Sequence, residues 1–341
     1  MNSPAVQPRR ERALDLFKGL LVIGMVYCHS LQFFSDPLVY PAGQYLIDAF
    51  NLITFSGFVF SFGYVSQRAY YAKSFRAAAP RMLQAALRTL IGFYISGIAY
   101  RLLIDGQPPV WKSIQPVLLV QDMPGWSEFL LSFTYLTVVG LVLFQPLRWM
   151  AEHKAAGFTI ALLLLAATLI PYGSVHGVML GPLIGARGFA TFPVLQYFPY
   201  YIAGMVFARH GIRADLWVLL AASAATGAFI MNWLVNDRIL PERFPPSIWW
   251  ITGPALPLYT LYLLARLLER AALPLQPLET LGRNVLWFLV MSNILIFALR
   301  GRQGNEREIA GVGGAMLTAA VLLLVSGFAV WIIAKPPRRR E

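Results

Sequence analysis

Charged residues are scarce in this sequence. Asp, Glu, Lys and Arg make up 13% of its 341 residues, whereas soluble domains carry about 25%. Apolar residues make up 57%, and several segments run for about 20 residues without a charge, which is the length that crosses a hydrocarbon core of ~30 Å. The composition excludes a soluble globular domain and predicts an all-α integral membrane protein, because a helix satisfies its own backbone polar groups in lipid.

Cysteine and histidine are scarce as well. The single cysteine, Cys28, excludes an intrachain disulfide and a cysteine-rich metal site, and the four histidines show no close ligand spacing. Neither a nucleotide-binding glycine loop nor a zinc motif occurs, so we expect no bound metal. Cys28 adjoins His29, but neighbours on a helix point about 100° apart. We therefore interpret Cys28 as a packing residue.

Hydropathy predicts about ten transmembrane helices in one membrane domain at 13–335, with a polar tail at 1–12 and a basic tail at 336–341. The first span is too long for a signal-peptide core, and no small-x-small cleavage site follows it, so we expect it to remain as a helix. The predicted spans are 14–34, 45–66, 82–103, 128–148, 156–172, 193–208, 214–235, 247–265, 283–299 and 309–334.

The net charge of +12 follows mostly from topology. If the N-terminus is cytoplasmic, nineteen of the 28 Lys and Arg residues fall on the cytoplasmic side and eight on the outer side. This distribution agrees with the positive-inside rule, and an even number of spans places both termini in the cytoplasm. The basic excess therefore does not indicate a nucleic-acid partner, and we expect these surfaces to contact membrane lipids. The sequence contains no signal for an oligomeric state.

Two polar residues interrupt the first span. Lys18 and His29 are eleven residues apart, which places them within about 20° on one helix face and about 16 Å apart along its axis. A lysine near the cytoplasmic boundary can simply extend to the interface, and a hydrogen bond to a neighbouring helix would explain a histidine. Ionisable groups inside a span nevertheless indicate function by default. We predict that both residues belong to one site.

A basic cluster follows the second span and consists of Arg68, Lys73, Arg76, Arg81 and Arg88. Contact with anionic lipid explains such a loop. Arg88, however, lies about two helical turns deeper than Arg81 on nearly the same face, where a cation needs an anion or a polar cavity. The cluster therefore predicts a cytoplasmic anion site that holds phosphate groups.

Two further stretches place small or polar residues inside spans. The segment 55-FSGF-58 belongs to a face of small residues, which is typical of close helix packing in membranes. The segment 279-ETLGRNVLWFLVMSN-293 places Ser292 and Asn293 inside a span, where interhelical hydrogen bonds explain them.

These motifs together resemble the acyltransferase family 3 membrane proteins, which are bacterial multi-span enzymes that acylate polysaccharides, glucans, lipopolysaccharide and antibiotics. The stretch 12-RALDLFKGLLVIGMVYCHS-30 is similar to their first helix, whose signature is Arg or Lys, ten residues and His. The segment 55-FSGF-58 resembles their Phe-x-x-Ser-Gly segment, and the Arg81 to Arg88 stretch resembles their basic cluster. The resemblance covers the whole chain.

The late helix departs from the family pattern. The stretch 281-LGRNVLWFLVMS-292 is similar to the family's Leu-Gly-x-Asn-Ser-Leu…His helix, but Val285 stands at its serine position and Ser292 at its histidine position. A second histidine role is therefore absent or filled elsewhere. We expect the stand-alone form of the family, without a soluble esterase domain of the SGNH type.

The resemblance implies an acyl-CoA-dependent O-acyltransferase of the bacterial cytoplasmic membrane. It would transfer an acetyl or succinyl group to a hydroxyl of a surface or exported glycan or a lipid-linked oligosaccharide. Lys18 and the basic cluster would bind the phosphates of acyl-CoA through charge-assisted contacts. His29 would act as general base, since its unperturbed pKa lies near operating pH. An acyl-imidazole relay is the other mechanism that the resemblance leaves open.

Other residues would complete this site. Asp36, Asp48 or Asn51 would orient the imidazole, and Ser56 with the Gly57 backbone would line the channel or stabilise the oxyanion. Four tryptophans would serve either as sugar platforms or as an interfacial aromatic belt, and these are Trp111, Trp126, Trp249 and Trp250.

Two other function classes remain open. A transporter or flippase for a lipid-linked glycan or small anion would also explain cations inside the membrane. It predicts paired broken helices or an internal repeat, which the sequence does not show. A non-enzymatic scaffold would leave His29 and Arg88 as costly groups without a role.

Overall fold

The computed structural model shows a helical protein and describes residues 11–36, 38–186, 192–271, 273–303 and 311–333. No β-strand occurs within these ranges. The tails predicted at 1–12 and 336–341 lie outside the described residues, apart from 11 and 12. The helices are α1 (Arg12–Phe34), α2 (Pro41–Ser66), α3 (Phe75–Leu103), α4 (Trp111–Leu118), α5 (Glu128–Val142), α6 (Phe144–Glu152), α7 (Lys154–Leu164), α8 (Gly181–Ile184), α9 (Val194–His210), α10 (Leu216–Val235), α11 (Ile248–Thr252), α12 (Ala255–Arg270), α13 (Gln276–Arg283), α14 (Val285–Gln303) and α15 (Val312–Ile333).

Six helical segments in the described ranges are long and apolar enough to cross a membrane. They are α1, α2 with the π-helical turn that extends it to Tyr71, α3, α10, the α11–α12 pair and α15. Two further apolar pairs bend sharply, by 83° between α5 and α6 and by 87° between α13 and α14. Counting each bent pair as one span gives eight, so the described residues hold six to eight candidate spans, against the ten predicted.

The difference lies in the predicted spans 156–172 and 193–208. The first is a short apolar helix, in which α7 continues only as a 3₁₀ helix at Leu165–Leu169. The second corresponds to α9, which has 17 residues and is largely buried in the protein. Both fall short of the about 20 residues that cross a bilayer core. Hydropathy alone does not separate such short helices from full spans.

Helix α1 lies at the centre of the protein. It packs against α2, α12, α13, α14 and α15, and 78% of the residues in its most apolar 18-residue stretch are buried. A helix enclosed on most sides has no lipid-facing stripe. Polar side chains on α1 therefore meet other helices or internal cavities rather than hydrocarbon.

The small-residue face predicted on the second span packs against α9. A Cβ added to Gly63 would collide with the carbonyl oxygen of Tyr201, and one added to Gly204 would collide with the carbonyl oxygen of Phe60. The two backbones are thus in direct contact, as is usual where small residues join membrane helices.

We expect Gly63→Leu to destabilise the protein strongly, because the added side chain must push α9 away. Overpacking of this kind costs about 1–3 kcal/mol or more. The thermal midpoint of the purified protein in detergent measures the effect. Gly227→Leu is the matched control, since a Cβ at Gly227 on α10 meets nothing within 4 Å. Equal midpoints for the two variants would contradict the α2–α9 contact.

Candidate functional site

His29 lies near the C-terminal end of α1 and contacts α14. Its Nδ1 atom is 2.9 Å from Oδ1 of Asn293, and its ring lies 6.5 Å, centroid to centroid, from that of Phe129 on α5. Asn293 is 1% exposed, so this hydrogen bond is sheltered from water. The histidine is therefore held by one buried amide.

The other contacts of Asn293 assign the proton on His29. Nδ2 of Asn293 donates to the carbonyl oxygen of Trp126 at 2.8 Å and to Oγ of Ser96 at 3.2 Å. A carbonyl oxygen only accepts, so the amide nitrogen must face Trp126 and the amide oxygen must face His29. This hydrogen-bond network places the imidazole proton on Nδ1. Nε2 then has a free lone pair and can accept a proton.

An uncommon backbone conformation at Trp126 orients its carbonyl group. Trp126 has a φ of 59°, a conformation that costs a non-glycine residue of order 1–3 kcal/mol. Its indole Nε1 donates to Oε1 of Gln32 at 2.8 Å, and its ring stacks on Tyr100 at 5.7 Å. These contacts on α1 and α3 hold the turn before α5 in the geometry that Asn293 needs.

A cavity of ≈290 Å³ adjoins His29. Ligand pockets usually measure about 300–1,000 Å³, so this cavity has room for an acyl group and part of a sugar ring but not for a whole coenzyme A. Its lining comes from α1, α2, the start of α5 with the turn before it, the residue Phe192 before α9 and the loop before α11. The lining residues are Met25, Cys28, His29, Gln32, Asn51, Thr54, Phe55, Phe58, Gly125, Trp126, Glu128, Phe129, Phe192, Arg243 and Phe244.

Two charged side chains share this cavity with His29. Glu128, the first residue of α5, is 8% exposed, and its Oε2 has no hydrogen-bond partner among the described residues. Arg243 is half-buried in the loop between α10 and α11. Burial lowers the pKa of Arg243, yet a guanidinium stays protonated at any pH at which proteins work. The cavity therefore combines an imidazole, a cation and a carboxyl group.

None of the three residues predicted to orient His29 forms a hydrogen bond with it in the described part of the structure. Helix α1 ends at Phe34 and Ser35 is extended, so Asp36 leaves the helical face and accepts from the backbone N–H of Leu38. Asp48 accepts from Gln44 at 2.8 Å. Asn51 lines the cavity but accepts from Cys28 Sγ at 3.3 Å. The orienting group is the amide of Asn293 instead.

Ser56 and Gly57 do not line the cavity. Both are buried, and a Cβ on Gly57 would meet Leu21 at 2.7 Å and Leu258 at 2.9 Å. The segment thus packs against α1 and α12, and the predicted channel or oxyanion role of Ser56 and Gly57 has no support in this geometry. The phenylalanines on either side, Phe55 and Phe58, do face the cavity.

Lys18 belongs to an ion-pair network that joins α1 and α13. Its Nζ is 2.9 Å from Asp15, and Asp15 also lies 3.4 Å from Arg283. Arg283 and Arg12 both pair with Glu279 at 2.7 Å. The structure therefore places Lys18 away from the lining of the His29 cavity and beside a carboxylate.

Arg68 also has an acidic partner. Glu11 lies 3.3 Å from Arg68 and accepts from the Tyr64 hydroxyl at 2.7 Å. Arg266 pairs with the same carboxylate and donates to the Tyr64 hydroxyl at 3.0 Å. This cluster fixes the start of α1 against α2 and α12.

The remaining basic residues lie on α3 and just before it. Lys73 is half-exposed, and Arg76, Arg81 and Arg88 are exposed. In the described part of the chain no carboxylate lies within ion-pair distance of these four. Arg81 and Arg88 are both charged neighbours of the Tyr70 phenol. The predicted grouping of Arg81 and Arg88 on one side of α3 agrees with this placement, but none of these residues lines the His29 cavity.

A family model described as an acyltransferase domain matches residues 11–335, nearly the whole chain. The chain belongs to acyltransferase family 3. The match confirms the resemblance that rests on Lys18, His29 and the Ser-Gly segment. No curated protein matches the sequence of this acyltransferase.

The family assignment supports a membrane acyltransferase, and the His29 cavity is its candidate site. Over the residues that the structure describes, no group of three or more His, Cys, Asp or Glu side chains could hold a metal ion. The thiol of Cys28 faces the same cavity but contacts Asn51 and the carbonyl of Ile47. Those contacts agree with the interpretation of Cys28 as a packing residue.

Sequence reasoning missed three residues of the candidate site. Asn293 was expected to bond between helices, and it does, but its partner is the predicted base. Glu128 and Arg243 were not singled out. A carboxylate at the edge of an apolar span, such as Glu128, is a sequence signal for a functional residue. Arg243 gives no such signal, because it lies in a loop and only the fold brings it to the cavity beside α1.

Proposed function

We propose that this protein is an acyl-CoA-dependent O-acyltransferase that acylates a glycan hydroxyl with an acetyl or succinyl group. The supporting observation is the His29–Asn293 pair at an internal cavity of a family 3 acyltransferase. It presents an imidazole with a free Nε2 to a space that fits a small acyl group. General bases of this kind contribute about 10²–10⁴-fold to a rate.

The reaction follows from this arrangement. Nε2 of His29 accepts the proton of the acceptor hydroxyl while the oxygen attacks the carbonyl carbon of the thioester. The C–S bond then breaks, and the imidazolium returns the proton to the departing coenzyme A thiolate. The products are the acylated glycan and free coenzyme A. The hydrogen bond from Nδ1–H to Asn293 keeps the His29 ring in the tautomer that these reaction steps require.

The proposal includes a topology of ten spans with both termini in the cytoplasm, in the cytoplasmic membrane of a bacterium. Counting each bent pair as one span gives eight, and α7 with its 3₁₀ extension and α9, taken as short spans, bring the total to ten. In this arrangement Trp126 and Arg243 approach the cavity from the outer side. The acceptor would enter there, and acyl-CoA would enter from the cytoplasm.

The phosphates of acyl-CoA would bind the basic residues at the cytoplasmic side. Lys18 and Arg68 already have acidic partners, so in this proposal they support the site from within their networks. Lys73, Arg76, Arg81 and Arg88 present their charges on the surface and would make the direct contacts. An arginine offers a planar fork of donors that matches a phosphate.

We expect the double variant Arg81→Gln/Arg88→Gln to weaken coenzyme A binding by about tenfold or more, since two charge-assisted contacts are lost and exposed ion pairs contribute up to about 1 kcal/mol each. Thermal stabilisation of the purified protein over a coenzyme A titration gives the affinity.

Arg209→Gln is the matched control, because Arg209 is exposed at the end of α9 and has the same charge. An unchanged affinity in the double variant would remove these arginines from the phosphate site.

The cellular test measures the O-acylation of the glycan. Deleting the gene should remove O-acyl groups from a surface or exported glycan while the glycan is still made and exported. Complementation with the intact chain should restore the acyl groups, and complementation with His29→Ala should not. Loss of the glycan from the cell surface, with its acylation intact, would instead indicate the flippase or transporter alternative.

A further inference from the structure

Arg243 has an aromatic environment and no acidic partner within the described residues. Its guanidinium carbon lies 4.6 Å from the ring centroid of Phe244, 5.4 Å from that of Phe192 and 5.9 Å from that of Trp250. Its Nε is buried and has no hydrogen-bond acceptor there. Aromatic faces stabilise a cation by about 0.5–2 kcal/mol but leave its N–H donors unused.

The unpaired Nε of Arg243 is costly unless a ligand binds it. A buried donor without a partner costs about 1–3 kcal/mol, and more when it is charged. Glu128 lines the same cavity, yet it forms no ion pair with Arg243 and keeps its own Oε2 without a partner. Arg243 and Glu128 thus face one cavity without forming an ion pair. A polar ligand can bind in the space between them.

The reaction supplies a group that fits these donors. Attack on a thioester moves the carbonyl π electrons onto oxygen, and the resulting oxyanion needs hydrogen-bond donors placed in advance. Ser56 and Gly57, the residues expected in that role, pack against Leu21 and Leu258 instead. Arg243 is the cation that shares the His29 cavity.

Resting on the proposed acyl transfer, we propose that Arg243 is a catalytic residue whose guanidinium binds the carbonyl oxygen of the acyl group and stabilises its oxyanion. The acceptor oxygen forms its bond to the carbonyl carbon, and His29 takes the proton. The negative charge then rests on the carbonyl oxygen against Arg243 until the C–S bond breaks and the thiolate leaves. The rings of Phe192, Phe244 and Trp250 hold the guanidinium in place and exclude water, which strengthens the interaction.

Steady-state kinetics of Arg243→Gln in purified protein test this role. Loss of one oxyanion donor typically lowers kcat by about 10²–10³-fold, and we expect that fall with little change in the KM for either substrate. Arg243→Lys, which keeps the charge but loses the fork of donors, should fall between Arg243→Gln and the unaltered protein. The rate of acyl-CoA hydrolysis without acceptor should fall in parallel, because water attacks through the same oxyanion.

Arg238→Gln in the same loop is the control, since Arg238 is exposed and does not line the cavity. A raised acceptor KM with unchanged kcat and unchanged hydrolysis would overturn the proposal in favour of binding an anionic acceptor. Unchanged kinetics in both Arg243 variants would overturn it outright. If the unaltered protein transfers no acyl group, the proposed function fails, whereas activity that does not depend on Arg243 defeats this inference alone.

Discussion

The variant His29→Ala should lose acyl transfer by about 10²–10⁴-fold, because it removes the base that takes the hydroxyl proton. The fall should appear in kcat, and the KM for acyl-CoA should change little, since the basic residues proposed to bind the phosphates lie outside the His29 cavity. Initial rates of transfer from radiolabelled acetyl-CoA to a glycan acceptor measure both constants.

His176→Ala is the matched control, since His176 is exposed in the loop between α7 and α8. Coenzyme A should stabilise both variants against heat to the same extent. Equal transfer by His29→Ala and the unaltered protein would end the assignment of His29 as the base.

Asn293→Ala should lower kcat by about 10–100-fold, as is typical when the hydrogen-bond partner that orients a functional histidine is removed. Asn293 is a positioning residue, and without its Oδ1 the imidazole of His29 can carry its proton on either nitrogen and rotate. The fraction with a free Nε2 facing the cavity then falls. Histidine ¹⁵N chemical shifts should show Nδ1–H in the unaltered protein and a mixture of tautomers in the variant.

Ser292→Ala isolates this effect from packing. Ser292 is equally buried, but among the described residues its hydroxyl donates to the carbonyl of Leu289 in its own helix. If Ser292→Ala and Asn293→Ala lowered kcat equally and left the tautomer of His29 unchanged, the orienting role of Asn293 would be wrong.

Local periodicity predicted much of the helical framework. Apolar runs of about 20 residues predicted α1, α2, α3, α10 and α15, because each such run must be a helix in lipid. The same windows could not show that α9 is short and enclosed, or that α5 and α13 meet their neighbours at sharp bends. Those features depend on tertiary packing, such as the α2–α9 backbone contact at Gly63.

The site divides in the same way. His29 was predictable because an imidazole inside an apolar span is anomalous on its own helix. Its partner was not, because Asn293 is 264 residues away in the chain, and only the fold places α14 beside α1. Helical geometry suggested Asp36, but α1 ends at Phe34 and the register is lost two residues before that carboxylate.

The prediction that Lys18 and His29 belong to one site relied on their shared face of α1. The spacing places both on one side of α1, yet Lys18 meets Asp15 and the ion pairs of α13, whereas His29 meets α14 and the cavity. A helix surrounded by five others presents different neighbours at different depths. Sequence spacing fixes the direction of a side chain but not what lies there.

The most direct test of the account is acyl transfer by the purified protein in lipid nanodiscs. Radiolabelled acetyl-CoA or succinyl-CoA and a hydroxyl-bearing glycan are supplied, and the label on the glycan is tested for release by hydroxylamine at a rate expected of an ester. The account predicts ester-linked label with the unaltered protein and at least a hundredfold less with His29→Ala, in line with the contribution of a general base. Glycan that stays unlabelled with both acyl-CoA donors, although coenzyme A stabilises the protein, would contradict it.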